Sequence, residues 1–332
     1  MLFETLHLPK IYATLPADDE AKWLYCERLI SILEESLTNC VLLVDEQEDL
    51  RHAMLTALAN WPIKHNFGPR ARELYASLWQ AGRFVRTSKR AAVPFVTMCL
   101  DDPNCIKCNE LEISTVKLVL VPDKCACCHT LPNAIRLPEY SYSTFRIERK
   151  KAESVIIPAL AWEKERFLEK VWNPIFRYAK EAEFVDRNIG GSNNRKQYSP
   201  RKNYERTLAW LLPAANDSGK HLERVTIYTQ CSNVNAETAY GIWKRWGDEL
   251  AKEHDFHFKL DFRFIRQQGA LEIPHDRYLF TDQIALSIGR GFDLLSDDSP
   301  DSAVRETKIN IEPFAMRRST ISKLDMLPRV EG

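Results

Sequence analysis

The stretch that decides the fold of the C-terminal half is residues 274–293, PHDRYLFTDQIALSIGRGFD. It places His275, Arg277 and Asp282 in an H-x-R-x4-D spacing, followed by an apolar run. In an extended segment, side chains two residues apart point to the same face, so His275 and Arg277 are expected to meet one anion. An imidazole can attack phosphorus or transfer a proton, a guanidinium can hold phosphate oxygens, and a carboxylate can orient both. The spacing therefore predicts a phosphate-binding or phosphodiester-cleaving site with His275, Arg277 and Asp282 as its catalytic residues. The alternative is a surface-loop histidine, a helper arginine and a turn aspartate without chemistry.

Helix and strand patterns alternate in the residues before this stretch. Helical patterns span 163–182, 200–212 and 236–253, and strand patterns span 183–189, 224–229 and 257–265. This order, closed by consecutive strands, predicts a mostly parallel sheet with helices on its faces. Ligands of such sheets bind beyond the carboxyl ends of the strands. Asp186, near the end of one predicted strand, is therefore a further candidate for the catalytic site, although an acid at a strand end is often only a turn former.

These blocks resemble the phospholipase D-like superfamily and are most similar to the phospholipase D-like C-terminal domain of MIT-domain proteins. The matching blocks are residues 184–189, 225–229, 275–277 and 288–293, which occur in the family's order. The similarity covers residues 163–313, about half of the chain. It implies a mixed sheet flanked by helices that binds phosphodiesters, with a homodimer as the working form. The N-terminal half has no MIT-like pattern of three helices.

The resemblance leaves two functions open. Catalytic members of the superfamily use two H-x-K-x4-D elements, whereas this chain has one, with Arg277 at the lysine position. A second histidine would come from a second copy across a two-fold axis, or Asp186 would act in its place. One function is a single-motif nuclease of a defence or mobile-element system, cleaving DNA or RNA as a homodimer. The other is a non-catalytic module that binds nucleic acid or acidic phospholipid, because the MIT-type relatives are non-catalytic dimers that bind phospholipid.

A basic segment follows Asp186 and is expected to bind phosphate. Its cations include Arg187, Arg195, Lys196, Arg201 and Lys202. Ser287 and Arg290 flank a glycine turn whose backbone N–H groups are expected to approach the same phosphate. Tyr198 and Tyr204 are expected to stack on bases. A charge run is more often a solvated surface, and a glycine pair is equally typical of a tight turn or bulge.

The cysteines of the N-terminal half predict a structural zinc site. Two C-x2-C pairs are separated by sixteen residues: Cys105, Cys108, Cys125 and Cys128. Two such pairs converge on one tetrahedral ion, and four thiolates leave no open position for catalysis. Cys127 and His129 are substitute ligands. The alternative is that these cysteines are free thiols in a core.

The remaining patterns of the N-terminal half predict an α/β domain over residues 1–150. Helical patterns span 18–37, 48–60 and 69–80, and strand patterns span 40–44, 93–100 and 116–121. The acids Asp45, Glu46, Glu48 and Asp49 follow a buried strand pattern. A helix start that favours negative charge is the simpler explanation, and a metal-binding end of a PIN-type nuclease is the alternative. Residues 132–158 are expected to be an irregular connection.

Length and composition limit the number of domains and the kinds of ligand and location that the sequence predicts. The 332 residues predict two domains, 1–150 and 160–315, followed by a tail of residues 316–332. Lys plus Arg number 46 and Asp plus Glu number 46, so any attraction for nucleic acid comes from local patches. The sequence has neither a signal-peptide pattern nor an apolar run long enough to span a membrane, which predicts a cytoplasmic protein without a transmembrane segment.

Overall fold

The computed structural model describes residues 4–7, 19–44, 49–62, 66–86, 118–121, 134–144, 146–147, 154–158, 162–191, 198–231, 236–266, 273–295, 303–313 and 315–330. Contacts divide the chain into two compact units, Phe3–Lys151 and Ala152–Gly332, which we call the N-terminal unit and the C-terminal unit. Each contains a sheet and helices. The α/β fold class expected from the sequence is confirmed.

The N-terminal unit contains a five-stranded parallel sheet. Its strands are β1 (Glu4–His7), β2 (Cys40–Val44), β3 (Phe84–Arg86), β4 (Leu118–Val121) and β5 (Ala134–Arg136). They lie in the order β3-β2-β1-β4-β5, and every pair is parallel. Parallel neighbours need crossover connections. Helix α1 (Asp19–Asn39) connects β1 to β2, and helices α2 (Asp49–Ala59) and α3 (Phe67–Gln80) lie between β2 and β3.

The core of this unit forms where α1 packs on α3. Leu29, Ile32 and Leu33 recur at helical spacing and are buried, as are Leu74 and Leu78 of α3. The predicted helices at 18–37, 48–60 and 69–80 and the predicted strand at 40–44 are therefore confirmed. The predicted strand at 93–100 lies outside the described residues.

The C-terminal unit contains a seven-stranded mixed sheet. Its strands are β6 (Ser154–Ile157), β7 (Glu181–Val185), β8 (Arg224–Cys231), β9 (Lys259–Arg266), β10 (Tyr278–Thr281), β11 (Ala285–Ile288) and β12 (Thr307–Glu312). The order is β6-β12-β11-β10-β7-β8-β9, in which β7, β8 and β9 are parallel and the other pairs are antiparallel. The mixed sheet flanked by helices that the resemblance implies is confirmed. The expectation of a mostly parallel sheet is wrong, because four of the six described strand pairs are antiparallel. The segment 132–158 is not wholly irregular either, since it contributes β5 and β6.

Helices cover both faces of this sheet. They are α4, composed of α-helical Lys164–Phe167, a π-helical turn Leu168–Trp172 and α-helical Asn173–Phe176, then α5 (Lys202–Ser218), α6 (Ala236–Glu253) and α7 (Ala315–Asp325). Side chains of a strand alternate between faces. Phe184 of β7 accordingly packs on the rings of Trp172 and Phe176 in α4, whereas the next residue, Val185, packs in a cluster with Leu324 of α7.

The predicted tail, residues 316–332, is corrected for its described part, because residues 316–330 pack within the C-terminal unit. Helix α7 buries Thr320 and Leu324 against the sheet. After the helix, the Val330 N–H donates to the carbonyl of Phe264 in the edge strand β9 (2.9 Å). Apolar periodicity did not reveal α7 because few of its side chains are apolar.

Ion pairs contribute to the docking of α7. Arg317 donates through Nε to Glu183 Oε2 (2.9 Å) and through Nη2 to Glu181 Oε2 (3.2 Å). Glu183 is buried in the middle of β7. Burial raises its pKa, although the Arg317 guanidinium opposes that effect.

Candidate anion-binding site

The candidate site lies beyond the carboxyl ends of β7 and β8. Asp186 follows β7 directly, and its N–H donates to the Tyr228 carbonyl (3.1 Å), so the ladder with β8 continues to this residue. The next residues, 187–190, form a turn away from the sheet. The Gly190 N–H is held by Thr229 Oγ1 of β8 (2.6 Å). These two hydrogen bonds fix the backbone of the loop after β7 against the end of β8.

Asp186 is fully buried, and its carboxylate connects two loops beyond the carboxyl end of β7. Oδ1 accepts from the Asn188 N–H (2.9 Å) and Oδ2 accepts from the Phe292 N–H (3.1 Å). Burial raises the pKa of the Asp186 carboxyl to about 6, although both N–H groups and Arg277 favour its charged form. Asp186 thus ties the loop after β7 to the turn after β11.

Arg277 is held between this carboxylate and that turn. Its Nη1 donates to the Gly289 carbonyl (2.7 Å), and its Nε lies 3.8 Å from Asp186 Oδ1. The Nε atom is buried and makes no hydrogen bond with the residues that the structure describes. Arg277 therefore positions the turn and balances the charge of Asp186.

His275 lies at the exposed rim and contacts Arg187. Arg187 Nη1 lies 2.9 Å from His275 Nε2. A guanidinium has donors and no acceptor, so Nε2 must be the unprotonated nitrogen. A hydrogen bond in this contact therefore requires the tautomer that carries its proton on Nδ1.

Arg201 provides a further cation at the same edge. A β-carbon on Gly191 would lie 3.0 Å from Arg201 Nε, so the guanidinium lies directly over the loop that follows β7. Within the described ranges, its side chain makes neither a hydrogen bond nor an ion pair. Lys202, the first residue of α5, is exposed beside it. The hydroxyl of Tyr204 interacts electrostatically with Asp186, Arg277 and Arg201, which places them in one neighbourhood.

A second carboxylate at this end of the sheet, that of Asp293, was not expected from the sequence. Asp293 Oδ1 accepts from Asn203 Nδ2 (2.6 Å) and from Arg305 Nη1 (2.8 Å). These hydrogen bonds fix the start of α5 against the chain after β11. Asp293 ends the quoted motif stretch and Asn203 stands in the first turn of a predicted helix, but nothing local pairs them. No signal in the sequence identifies Arg305.

The structure does not bring Asp282 to His275. Asp282 Oδ1 accepts from the N–H groups of Lys180 (2.9 Å) and Glu181 (3.4 Å), at the amino end of β7. Arg277 precedes β10 and Asp282 follows it, so the strand separates them by roughly 16 Å at about 3.3 Å per residue. The predicted role of Asp282 in orienting the imidazole is corrected for this reason.

Ser287 and Arg290 make hydrogen bonds with the segment of residues 306–312. Ser287 Oγ donates to Glu312 Oε1 (2.6 Å) and accepts from Asn310 Nδ2 (3.2 Å) on β12. Arg290 is exposed and donates through Nε to the Glu306 carbonyl (2.6 Å). Both predicted phosphate ligands therefore already have hydrogen-bond partners within the C-terminal unit.

The two tyrosines predicted to stack on bases are buried. Tyr198 accepts a hydrogen bond from Trp243 Nε1 (2.7 Å), and Tyr204 packs inside the unit. Burial raises the pKa of both hydroxyls. Neither ring is available to a base, so this expectation is corrected.

Several predicted residues lie outside the described part of the chain. They are Arg195, Lys196, Asp45, Glu46, Glu48, Cys105, Cys108, Cys125, Cys127, Cys128 and His129. Asp49 begins α2. Among the described residues, no three His, Cys, Asp or Glu side chains gather closely enough to hold a metal ion.

No family model matches this chain, and neither does any curated protein sequence. None of the helices in the described ranges combines the length and apolar composition of a membrane span.

Proposed function

We propose that the C-terminal unit binds the phosphodiester backbone of nucleic acid at the edge formed by Arg187, His275 and Arg201. The observation that carries the proposal is the contact between Arg187 Nη1 and His275 Nε2 at the exposed rim beyond β7 and β8. Arginine holds phosphate oxygens through paired N–H donors, and a histidine beside it adds a group that can change its charge.

Local charge supports the choice of an anion as ligand. Asp186 has Arg277 beside it, and Asp293 has Arg305. Arg201 has no carboxylate partner among the described residues, and Lys202 is exposed next to it. Both stand at the amino end of α5, where the helix dipole also favours negative charge. The chain as a whole is neutral, so this attraction is local.

A polymer of phosphodiesters fits this arrangement better than a single lipid head group. The cations come from the loop after β7 and from the start of α5, so they can meet successive phosphates along one strand. Since Tyr198 and Tyr204 are buried, the proposal relies on contacts with the backbone and not on base stacking. Binding should then depend strongly on salt and weakly on base sequence.

The proposal favours binding over hydrolysis. His275 Nε2 faces a guanidinium, and Asp282 lies at the opposite end of β10. A nuclease of the kind implied by the phospholipase D-like resemblance needs a second histidine, which a homodimer would have to supply. Light scattering of the purified protein measures whether that dimer forms.

Labelled single-stranded DNA and RNA, incubated in EDTA with wild type and with His275→Ala, test this proposal. We expect salt-sensitive binding that is weakened but not abolished in the variant, because Arg187 and Arg201 remain, and no cleavage by either protein. Cleavage by wild type that disappears in His275→Ala would assign the nuclease function. Binding to phosphatidylserine vesicles but not to oligonucleotides would contradict nucleic acid as the ligand.

A further inference from the structure

The hydrogen bond between Arg187 and His275 restricts the protonation state of the site. Nε2 of His275 accepts from Arg187 Nη1 at 2.9 Å. A proton and the guanidinium therefore compete for one lone pair. If the ring took up a proton in this geometry, its Nε2–H would point at another donor.

We propose that anion binding at this edge is coupled to the uptake of one proton by His275. The inference rests on the proposed function and adds to it a change in the charge of the site when the ligand arrives. The neutral imidazole is the form without ligand, and the imidazolium is the form in contact with a phosphate oxygen.

The coupling follows from an exchange of partners. An incoming phosphate oxygen takes the donor of Arg187 that now faces His275, because a charge-assisted hydrogen bond to an anion is the stronger one. The released lone pair of Nε2 would then face an anionic oxygen. A proton taken from solvent converts that repulsion into a second charge-assisted hydrogen bond. The number of protons balances, since one leaves the buffer for each ring that is protonated.

The other charged neighbours of His275 do not cause proton uptake on anion binding. Asp276 follows in the chain, and its Oδ2 accepts from the Tyr278 hydroxyl (3.2 Å). Arg277 donates to the Gly289 carbonyl and faces the buried Asp186. Both charges are present with and without ligand, so they bias the ring equally in the two states. The exchange at Nε2 is what makes proton uptake depend on the anion.

Calorimetric titration with oligothymidylate tests the inference, because its phosphodiesters carry one fixed charge each near neutral pH. The titration is repeated at one slightly alkaline pH and one salt concentration, in buffers with different enthalpies of ionisation. For wild type, we expect the binding heat to vary with buffer enthalpy in proportion to an uptake approaching about one proton per site. His275→Gln should bind more weakly and without that dependence, because a glutamine can accept from Arg187 but neither titrates nor offers a charged donor to the phosphate. His221→Gln is the matched control, because His221 is exposed before the amino end of β8, at the opposite edge of the sheet.

The outcomes separate this inference from the proposed function. If wild type does not bind oligothymidylate at low salt, the proposed function itself fails. If wild type binds without any dependence on buffer, or if His275→Gln shows the same dependence, proton coupling alone is overturned. Should His275→Gln be unstable, nitrogen NMR of the wild-type ring decides. We expect a proton on Nδ1 alone in the free protein and on both nitrogens in the complex, and an unchanged ring would overturn the inference.

Discussion

Gly291 lies so close to Asp186 that a β-carbon on the glycine would be 2.0 Å from the carboxylate Oδ2. The same carbon would lie 2.4 Å from Cδ of Arg277, and the glycine has φ +65°. Space and backbone conformation therefore both require glycine at this position. The contact joins the turn after β11 to the buried acid at the end of β7.

Gly291→Ala should destabilise the C-terminal unit by about 2–4 kcal/mol, because it combines a strained backbone with an overpacked contact. Urea unfolding followed by tryptophan fluorescence measures the change. Gly241→Ala is the control, since Gly241 is exposed in α6 and has no atom within 4 Å of the added carbon. There we expect a gain of up to about 1 kcal/mol from helix propensity. Equal stability of wild type and Gly291→Ala would refute the close contact.

The raised pKa of Asp186 predicts how its contribution to stability changes with pH. Its pKa is about 6 in the folded protein, against an ordinary value of 3.8. The folded state therefore binds the proton more tightly than the unfolded state. The stability that Asp186 contributes is fully present below its ordinary pKa and is lost as the pH rises through about 6.

The free energy of unfolding of wild type minus that of Asp186→Asn isolates this effect. The subtraction is needed because burial also raises the pKa of Glu183 and of Asp282. We expect the difference to fall between about pH 4 and pH 6. A difference that rises over the same interval would mean that the Asp186 carboxyl prefers its charged form in the folded protein.

Asp282→Ala should weaken folding without weakening the binding of nucleic acid. The substitution leaves the N–H groups of Lys180 and Glu181 without their acceptor, a loss of about 1–2 kcal/mol. Urea unfolding and oligonucleotide anisotropy are measured on the same sample. Weaker binding at unchanged stability would place Asp282 in the site and contradict its position beyond β10.

Arg317→Ala should destabilise the unit by about 3 kcal/mol, because it leaves Glu183 buried without its partner. The double variant Arg317→Met with Glu183→Gln should recover part of that loss, since it removes the buried charge as well. Urea unfolding compares the three proteins. A double variant less stable than Arg317→Ala would show that the ion pair stabilises the unit by more than the burial of its two charges costs.

The zinc prediction is tested by metal analysis of protein purified without chelator. We expect about one zinc ion per chain, and loss of that ion in Cys105→Ser. Comparison of Cys125→Ser with Cys127→Ser identifies which cysteine is a ligand. Wild type without zinc would favour the alternative of free thiols.

Periodicity in the sequence located the long helices and the central strands, but not the short strands β5 and β6, which fall in the segment expected to be irregular. Helix α6 occupies Ala236–Glu253 as expected, because its buried residues recur at helical spacing. The strand predicted at 224–229 is β8, two residues longer. Helix α7 was missed because Arg317 docks it through ion pairs, which leave little apolar pattern.

The site was harder to predict because it depends on distant parts of the chain. The H-x-R-x4-D spacing is local, but a strand between Arg277 and Asp282 sends them to opposite ends of the sheet. Asp186 could be predicted as a site residue because it is an acid near the end of a predicted strand. Its contact with Gly291 could not be predicted, because that contact depends on how β10 and β11 pair with β7. The burial of Tyr204 could not be predicted either, because it depends on the packing of the whole unit.

The most direct test of the account compares the double variant Arg187→Ala with Arg201→Ala against Arg224→Ala. Arg224 is exposed at the amino end of β8, the opposite edge from the site. Anisotropy of a labelled oligonucleotide is measured over a range of salt, after urea unfolding has shown that the variants fold. We predict an affinity at least about tenfold lower for the double variant at low salt, and a log–log salt slope smaller by about 1.4. Arg224→Ala should match wild type. Equal affinity of wild type and the double variant would contradict the claim that anions bind at this edge.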